Sequence, residues 1–186
     1  SMGGIELPWD EADVWLASVQ KCIGIPAGMG LLICSPKALA RAKELNRSTH
    51  YNDVLFLEEN RKMFQTQMTP NVLSIYLVYR LTQQLPSLSE VHLATLAKMK
   101  LWTDFWDNQP DFSYLIENPE LRLPTVLALT GEPGKIKQLH QLCLKKGMEL
   151  GKGYGAWKET SFRIANFPSH TFEDIETLIQ TIKNEL

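Results

Sequence analysis

The sequence has few cysteines, no long apolar run and no strong excess of charge of either sign. Three of its 186 residues are cysteines, and they lie far apart, without the close spacing of a zinc site. No apolar run reaches the roughly 18 residues that a membrane span needs. The net charge of −2 gives little attraction to nucleic acid or anionic membranes. We expect no metal site, no nucleic-acid or membrane partner, and a cytoplasmic location.

The composition is that of an ordinary folded protein. Hydrophobic residues make up 44% of the chain and charged residues 22%, which is enough apolar surface for a real core at this length. Apolar stretches of strand length alternate with capped stretches of helical length. The pattern predicts the α/β fold class.

The first third predicts a strand, a loop, a second strand and a helix. Residues 12–20 form a short apolar stretch with a polar end, and 24–30 hold too much glycine and proline for a regular element. Residues 31–34 predict a strand buried on both faces. Ser35, followed by proline, predicts the cap of a helix that runs to about Leu45.

The middle of the chain predicts a long irregular excursion and then two helices. Residues 46–68 are polar, with four residues that act as breakers: Asn46, Ser48, Asn52 and Asn60. Thr69 and Pro70 predict the start of a helix to about Leu85, apolar almost all round and therefore buried by the domain or a partner. Its apolar positions are Val72, Leu73, Ile75, Tyr76, Leu77, Val78 and Tyr79. Ser87 and Glu90 predict a capping box for the next helix.

The last third predicts a small α/β unit over residues 111–186. Strands are expected at 123–129 and 161–167, and a helix at 135–146, closed by a glycine. Thr171 and Asp174 predict the cap of a final helix. The apolar positions of that helix step by three and four residues: Phe172, Ile175, Ile179, Ile182 and Leu186.

The segment Ser18-Val19-Gln20-Lys21, followed by the glycine-proline loop, resembles the cofactor-lysine segment of class V pyridoxal-phosphate-dependent aminotransferases, which include the phosphoserine and alanine–glyoxylate enzymes. The resemblance implies that Lys21 is the catalytic lysine that bonds to pyridoxal phosphate, and that Gln20 helps to hold the cofactor phosphate. Covalent attachment to an aldehyde suits a lysine at the end of a strand, because its backbone is fixed and its side chain is flexible.

Two later segments extend the resemblance. Thr69 lies in a stretch similar to the family's Thr-Pro segment, which implies contact with the cofactor phosphate of the neighbouring subunit; a plain helix cap is the other interpretation. Arg163 lies in a stretch similar to the one that carries the family's substrate arginine, which implies binding of the substrate α-carboxylate; an arginine on a strand surface is the alternative. Residues 118–126 resemble the entry strand of the family's small domain.

The resemblance implies the C-terminal part of a fold-type I transferase. Residues 1–68 would be the end of the cofactor-binding large domain, 69–110 connecting helices and 111–186 the small domain. The implied reaction transfers an amino group between an amino acid and a 2-oxo acid in a homodimer. A phosphoserine-type substrate and a small amino acid both stay open, because residues 156–159 replace the His-Arg pair typical of phosphoserine enzymes.

The start of the sequence resembles the interior of a longer chain. Residues 1–4 look like the end of a Ser-Ser-x-Gly-Gly stretch that, in the family, follows the aspartate on the cofactor's pyridine nitrogen. We therefore expect a fragment that lacks the N-terminal half, binds pyridoxal phosphate weakly or not at all, and is inactive alone. The alternative is a non-catalytic truncated relative that serves as a dimerisation module.

Overall fold

The computed structural model describes residues 1–46 and 50–184, which divide into two compact units. One unit is Leu7–Leu85, and the other combines Ser1–Glu6 with Pro86–Leu186. Within the described residues, six α-helices and two small sheets confirm the predicted α/β class. Ser48, named above as a breaker, and Leu186, an apolar position of the final helix, lie outside the described residues.

The Leu7–Leu85 unit begins with an antiparallel hairpin. Strand β1 (Val14–Ser18) pairs with β2 (Gly30–Cys34), so that Trp15 lies opposite Ile33. Both strands lie where they were predicted, but the burial of β2 on both faces is wrong: Ile33 is 43% exposed. Among the described residues this sheet has only these two strands, and two strands side by side leave most of each face uncovered.

Helix α1 (Pro36–Leu45) starts at the predicted cap. The hydroxyl of Ser35 accepts a hydrogen bond from the amide of Ala38 at 3.0 Å and donates one to the carboxylate of Asp13 at 2.7 Å. Lys37 pairs with the same carboxylate at 2.9 Å. The hydrogen bond from Ser35, and then that from Lys37, lower the pKa of Asp13. One carboxylate thus joins the start of the helix to the start of the hairpin.

The predicted irregular excursion over residues 46–68 is wrong in its centre, where α2 (Val54–Lys62) forms. Asp53 caps the helix and accepts from the amide of Leu55 at 2.8 Å. Asn60, taken as a breaker, is buried within the helix and donates to the carbonyl of Phe56. Two ion pairs, each between residues three positions apart, stabilise the helix: Glu58 with Arg61 and Glu59 with Lys62. The apolar residues of this helix are consecutive, at 54–57, and are not spaced by three and four, so the sequence pattern missed it.

Helix α3 (Val72–Thr82) starts later and ends earlier than predicted. Its cap is Asn71, whose side chain accepts from the amide of Ser74 at 3.1 Å, so the prediction that Thr69 caps this helix is wrong. Asparagine is at least as good a cap as threonine, and choosing it places Pro70 before the helix. The apolar side chains of α3 remain exposed: Val72 67%, Leu73 64%, Ile75 46%, Tyr76 53% and Tyr79 60%.

The second unit is built on a four-stranded antiparallel sheet in the order β3-β4-β6-β5. The strands are β3 (Phe112–Tyr114), β4 (Val126–Gly131), β5 (Gly151–Lys152) and β6 (Ser161–Ala165). Two were not predicted, β3 and β5, because three and two residues are too short to show alternation. The strand predicted from 123 starts three residues later, after a single 3-10 turn at Pro119–Leu121.

Three helices cover one face of this sheet: α4 (Leu88–Trp106), α5 (Pro133–Lys145) and α6 (Phe172–Lys183). The capping boxes predicted for α4 and α6 are both present. The core contains alternate residues of the central strands together with aromatic residues of α4: Leu127, Leu129, Phe162, Ile164, Trp102, Phe105 and Trp106. Since alternate residues point to opposite faces, Arg163 of β6 lies on the other face of the sheet.

Two thiols of the chain, the partly buried Cys34 and the buried Cys143, are poor nucleophiles. Burial raises the pKa of both Cys34 and Cys143, the second of which is fully buried in the core. In the part of the chain that the structure describes, no group of three or more histidines, cysteines or carboxylates could hold a metal ion. No helix of residues 1–46 and 50–184 is long and apolar enough to cross a membrane.

Candidate cofactor and substrate sites

The Lys21 segment is a closed turn that follows β1 directly. The carbonyl of Lys21 accepts a hydrogen bond from the amide of Gly24 at 3.0 Å, and Gly24 has a φ of 82°, which favours glycine. The amide of Val19 donates to the carbonyl of Met29, and that of Ile25 to the carbonyl of Val19, both at 3.3 Å. These bonds return the chain to the start of the turn and fix its path.

Three apolar side chains anchor the turn. Val19 is 0% exposed, Cys22 6% and Ile25 9%, so every third residue of the segment is buried. Gln20 and Lys21 lie between these anchors and are exposed. The amine of Lys21, on its flexible side chain, therefore extends from a backbone that the three buried side chains hold in place.

This arrangement fits the attachment of an aldehyde-bearing cofactor. Condensation with an aldehyde requires an accessible primary amine, and Lys21 supplies one on a fixed turn. The amide side chain of Gln20 is adjacent and exposed, and its NH2 group can donate hydrogen bonds to an oxyanion. The described residues of this unit thus suit the group that the sequence resemblance implies.

Thr69 lies in the same unit, in the irregular segment between α2 and α3. It is exposed, and its hydroxyl makes no hydrogen bond to the described residues. The segment is shaped by other residues: the hydroxyl of Thr66 donates to the carbonyl of Met68 at 2.5 Å. Because Asn71 takes the role of cap, the hydroxyl of Thr69 remains available for an external oxyanion.

Arg163 belongs to the other unit and lies at the centre of β6. Its Nε donates to the carbonyl of Lys152 at 2.9 Å, and its guanidinium carbon lies 4.3 Å from the centre of the Tyr154 ring. The side chain is partly buried. Burial, and then the positive charge of Lys152, lower the pKa of His140. Lys152 lies opposite Phe162 and therefore on the face that the helices cover, so its charge does not share a face with that of Arg163.

Tight glycine packing holds the loop between β5 and β6. The amide of Gly153 donates to the carbonyl of Ser161 at 3.1 Å, and the Ser161 hydroxyl donates to the carbonyl of Trp157 at 2.7 Å. A Cβ on Gly153 would overlap that hydroxyl and that carbonyl. The loop can close in this way only because residue 153 has no side chain.

Gly153→Ala is expected to destabilise the chain by about 1–3 kcal/mol, because the added methyl group must displace backbone. The matched control is Gly134→Ala in the first turn of α5, where the nearest atom is the end of the Glu132 side chain at 3.1 Å. That change should leave stability equal or slightly higher, since alanine is the better helix former. Urea unfolding measures both. Equal stability of the two variants would contradict the packing described for residue 153.

Sequence reasoning assigned no role to Tyr154, although it lies in a stretch used for the resemblance. The structure places its ring on the guanidinium of Arg163. The signal available beforehand was weak, because an aromatic residue nine positions before an arginine has no fixed spatial meaning. The β5–β6 pairing brings the two together by placing Gly151 opposite Arg163.

Comparison with protein-family models and with curated protein sequences finds no match. Among solved structures, a phosphoserine aminotransferase from Cytophaga hutchinsonii superposes with a TM-score of 0.88 and 31% identity, over 100% of this chain and 53% of that one. An alanine–glyoxylate aminotransferase from Nostoc sp. gives 0.82 and 20% identity over 99% and 51%. A pyridoxal-phosphate-bound phosphoserine aminotransferase from Trichomonas vaginalis gives 0.73 and 20% identity over 95% and 49%.

The chain spans about half the length of these similar proteins. Its fold matches the C-terminal portion of class V pyridoxal-phosphate-dependent aminotransferases, which confirms the predicted fold and the resemblance. Pyridoxal phosphate is the cofactor of these relatives.

Proposed function

We propose that this chain carries the cofactor lysine and the substrate arginine of a pyridoxal-phosphate-dependent aminotransferase. The observation that supports this most strongly is the Lys21 amine, exposed on a turn anchored by three buried side chains. The 31% identity to a phosphoserine aminotransferase over the whole of this chain adds to it. The reaction exchanges an amino group between an amino acid and a 2-oxo acid.

Each proposed site residue has one role. The Lys21 amine holds the cofactor covalently and, once released by the incoming amino acid, moves a proton between two carbon atoms. Gln20 and Thr69 bind the cofactor phosphate through an amide and a hydroxyl. The bound cofactor withdraws electrons from the reacting carbon. Arg163 binds the α-carboxylate of the substrate through paired N–H donors, a geometry that lysine cannot provide.

The substrate is either a phosphoserine-type or a small amino acid. One similar structure is a phosphoserine aminotransferase and another an alanine–glyoxylate aminotransferase. Where phosphoserine enzymes are expected to hold a His-Arg pair, this chain has residues 156–159, of which Lys158 offers the one positive charge and is exposed. A desulfurase is disfavoured, because such an enzyme needs an accessible cysteine and Cys22 is buried.

We also propose that the protein works as a cytoplasmic homodimer. The exposed apolar side chains of α3 support a partner, since five large residues of one helix remain 46–67% exposed. A non-catalytic pairing module would use the same surface. The two functions therefore differ in cofactor binding and not in assembly.

Absorbance spectroscopy separates the enzyme from the pairing module. The natural-length protein is mixed with pyridoxal phosphate, and the visible band of lysine-bound cofactor is titrated to its end point. A stoichiometry of one cofactor per chain supports the enzyme. A stable oligomer that shows no such band supports the module and contradicts the proposed function. The isolated 186-residue chain is expected to give a weak band or none.

A further inference from the structure

Two contacts hold the guanidinium group of Arg163, one at the edge of its plane and one at a face of that plane. Its Nε donates to the carbonyl of Lys152 at 2.9 Å, and the ring of Tyr154 lies against its plane at 4.3 Å. Neither contact uses the terminal nitrogens Nη1 and Nη2, which make no hydrogen bond or ion pair with the residues that the structure describes.

Small neighbours leave room around that guanidinium. In the sheet, Arg163 lies directly opposite Ala128 on β4 and Gly151 on β5, and residues in opposed pairs share a face. A Cβ on Gly151 would lie 3.7 Å from Nη2 of Arg163 and only 3.2 Å from its carbonyl oxygen. The helices cover the opposite face. The terminal nitrogens therefore lie on the open face of this unit beside Ala128 and Gly151, whose lack of larger side chains defines the notch.

We propose that Tyr154 is a positioning residue for Arg163. By stacking on the guanidinium while the Lys152 carbonyl holds Nε, it directs Nη1 and Nη2 toward the notch, where a carboxylate can bind both at once. The inference rests on the proposed function, in which Arg163 binds the substrate carboxylate, and it adds a residue to which no role had been assigned.

Stacking contributes to affinity by fixing the arginine in advance. Arginine has a long side chain with several rotatable bonds, and a ligand that must immobilise it loses affinity in doing so. The aromatic face attracts the cation and restricts its plane. Tyr154 is 71% exposed, so its own burial gives little stability. Its position is better explained by the contact with Arg163 than by packing in the core.

The first test measures how the guanidinium rotates. In the 186-residue chain labelled with ¹⁵N-arginine, the Arg163 Nη signals, assigned with Arg163→Lys, should be separate because rotation about the Nε–Cζ bond is slow. Tyr154→Leu should merge them, whereas Tyr154→Phe, which keeps the ring, should leave them separate. Trp157→Leu is the matched control, an exposed aromatic residue of the same loop with no guanidinium on it. Unchanged signals in Tyr154→Leu would overturn the inference.

The second test measures carboxylate binding. The same substitutions are made in the natural-length protein, and pyruvate is titrated into it while the Arg163 signals are followed, with pyruvamide as the uncharged control. Tyr154→Leu should bind pyruvate about two- to fivefold more weakly, the size expected of one exposed cation–π contact, and Tyr154→Phe should bind as the unmodified chain does. Equal affinity in Tyr154→Leu would overturn the positioning role alone. If pyruvate moves no Arg163 signal in the unmodified chain, the role of Arg163 in the proposed function fails, and the rotation test still decides the role of Tyr154.

Discussion

Replacement of Lys21 by alanine is expected to abolish covalent binding of pyridoxal phosphate and to lower transamination by at least about 10³-fold in the natural-length protein. The change removes both the amine that holds the cofactor and the base that moves the proton. Because Lys21 is exposed and makes no contact in the core, the fold should be retained. Cofactor absorbance and the rate of 2-oxo acid formation measure the two losses, and circular dichroism checks the fold.

Two further variants make this result specific. Lys43→Ala removes an exposed lysine of α1 in the same unit and should leave cofactor binding and rate unchanged. Lys21→Arg keeps the positive charge but cannot condense with an aldehyde, so it should fail as alanine does. Normal cofactor binding by Lys21→Ala would contradict the assignment.

Leu139→Ala is expected to destabilise the second unit by about 2–5 kcal/mol, a large part of the stability of a domain of this size. Leu139 lies on α5, is 0% exposed and packs in the core beneath β6. The change leaves a cavity on the helix side of the strand that carries Arg163. Urea unfolding, followed by the fluorescence of the buried Trp102 and Trp106, measures the effect.

Leu144→Ala provides the matched control on the same helix. Leu144 is 64% exposed, so the same chemical change should alter stability by less than about 0.5 kcal/mol. Both substitutions improve helix propensity equally, and the comparison therefore isolates burial. Similar unfolding midpoints for the two variants would contradict the core described for this unit.

Sequence patterns predicted the structure best where a few neighbouring residues determine it. Ser35 and the box of Ser87 with Glu90 were found because a cap needs only a hydroxyl or carboxylate at a fixed distance from the helix. At α3 two caps competed, and Asn71 formed the cap instead of Thr69. Helix α2 was missed because its apolar residues are consecutive, at 54–57, and so give no helical spacing, while its cap Asp53 was not considered.

The candidate site shows the same division. The roles of Lys21 and Gln20 follow from their motif and stay predictions, and their exposure between buried anchors agrees with the part proposed for them. The contact between Tyr154 and Arg163 could not be predicted, because it depends on the pairing of a two-residue strand with β6. Long-range register of that kind is set by the whole sheet and leaves no local pattern.

Chemical trapping of the cofactor tests the central claim most directly. The natural-length protein is incubated with pyridoxal phosphate, reduced with borohydride to make the lysine–cofactor bond permanent, digested and examined by mass spectrometry. We predict one stoichiometric label, on the peptide that contains Lys21. A label spread over other lysines, or concentrated on one of them while Lys21 stays unmodified, would contradict that prediction.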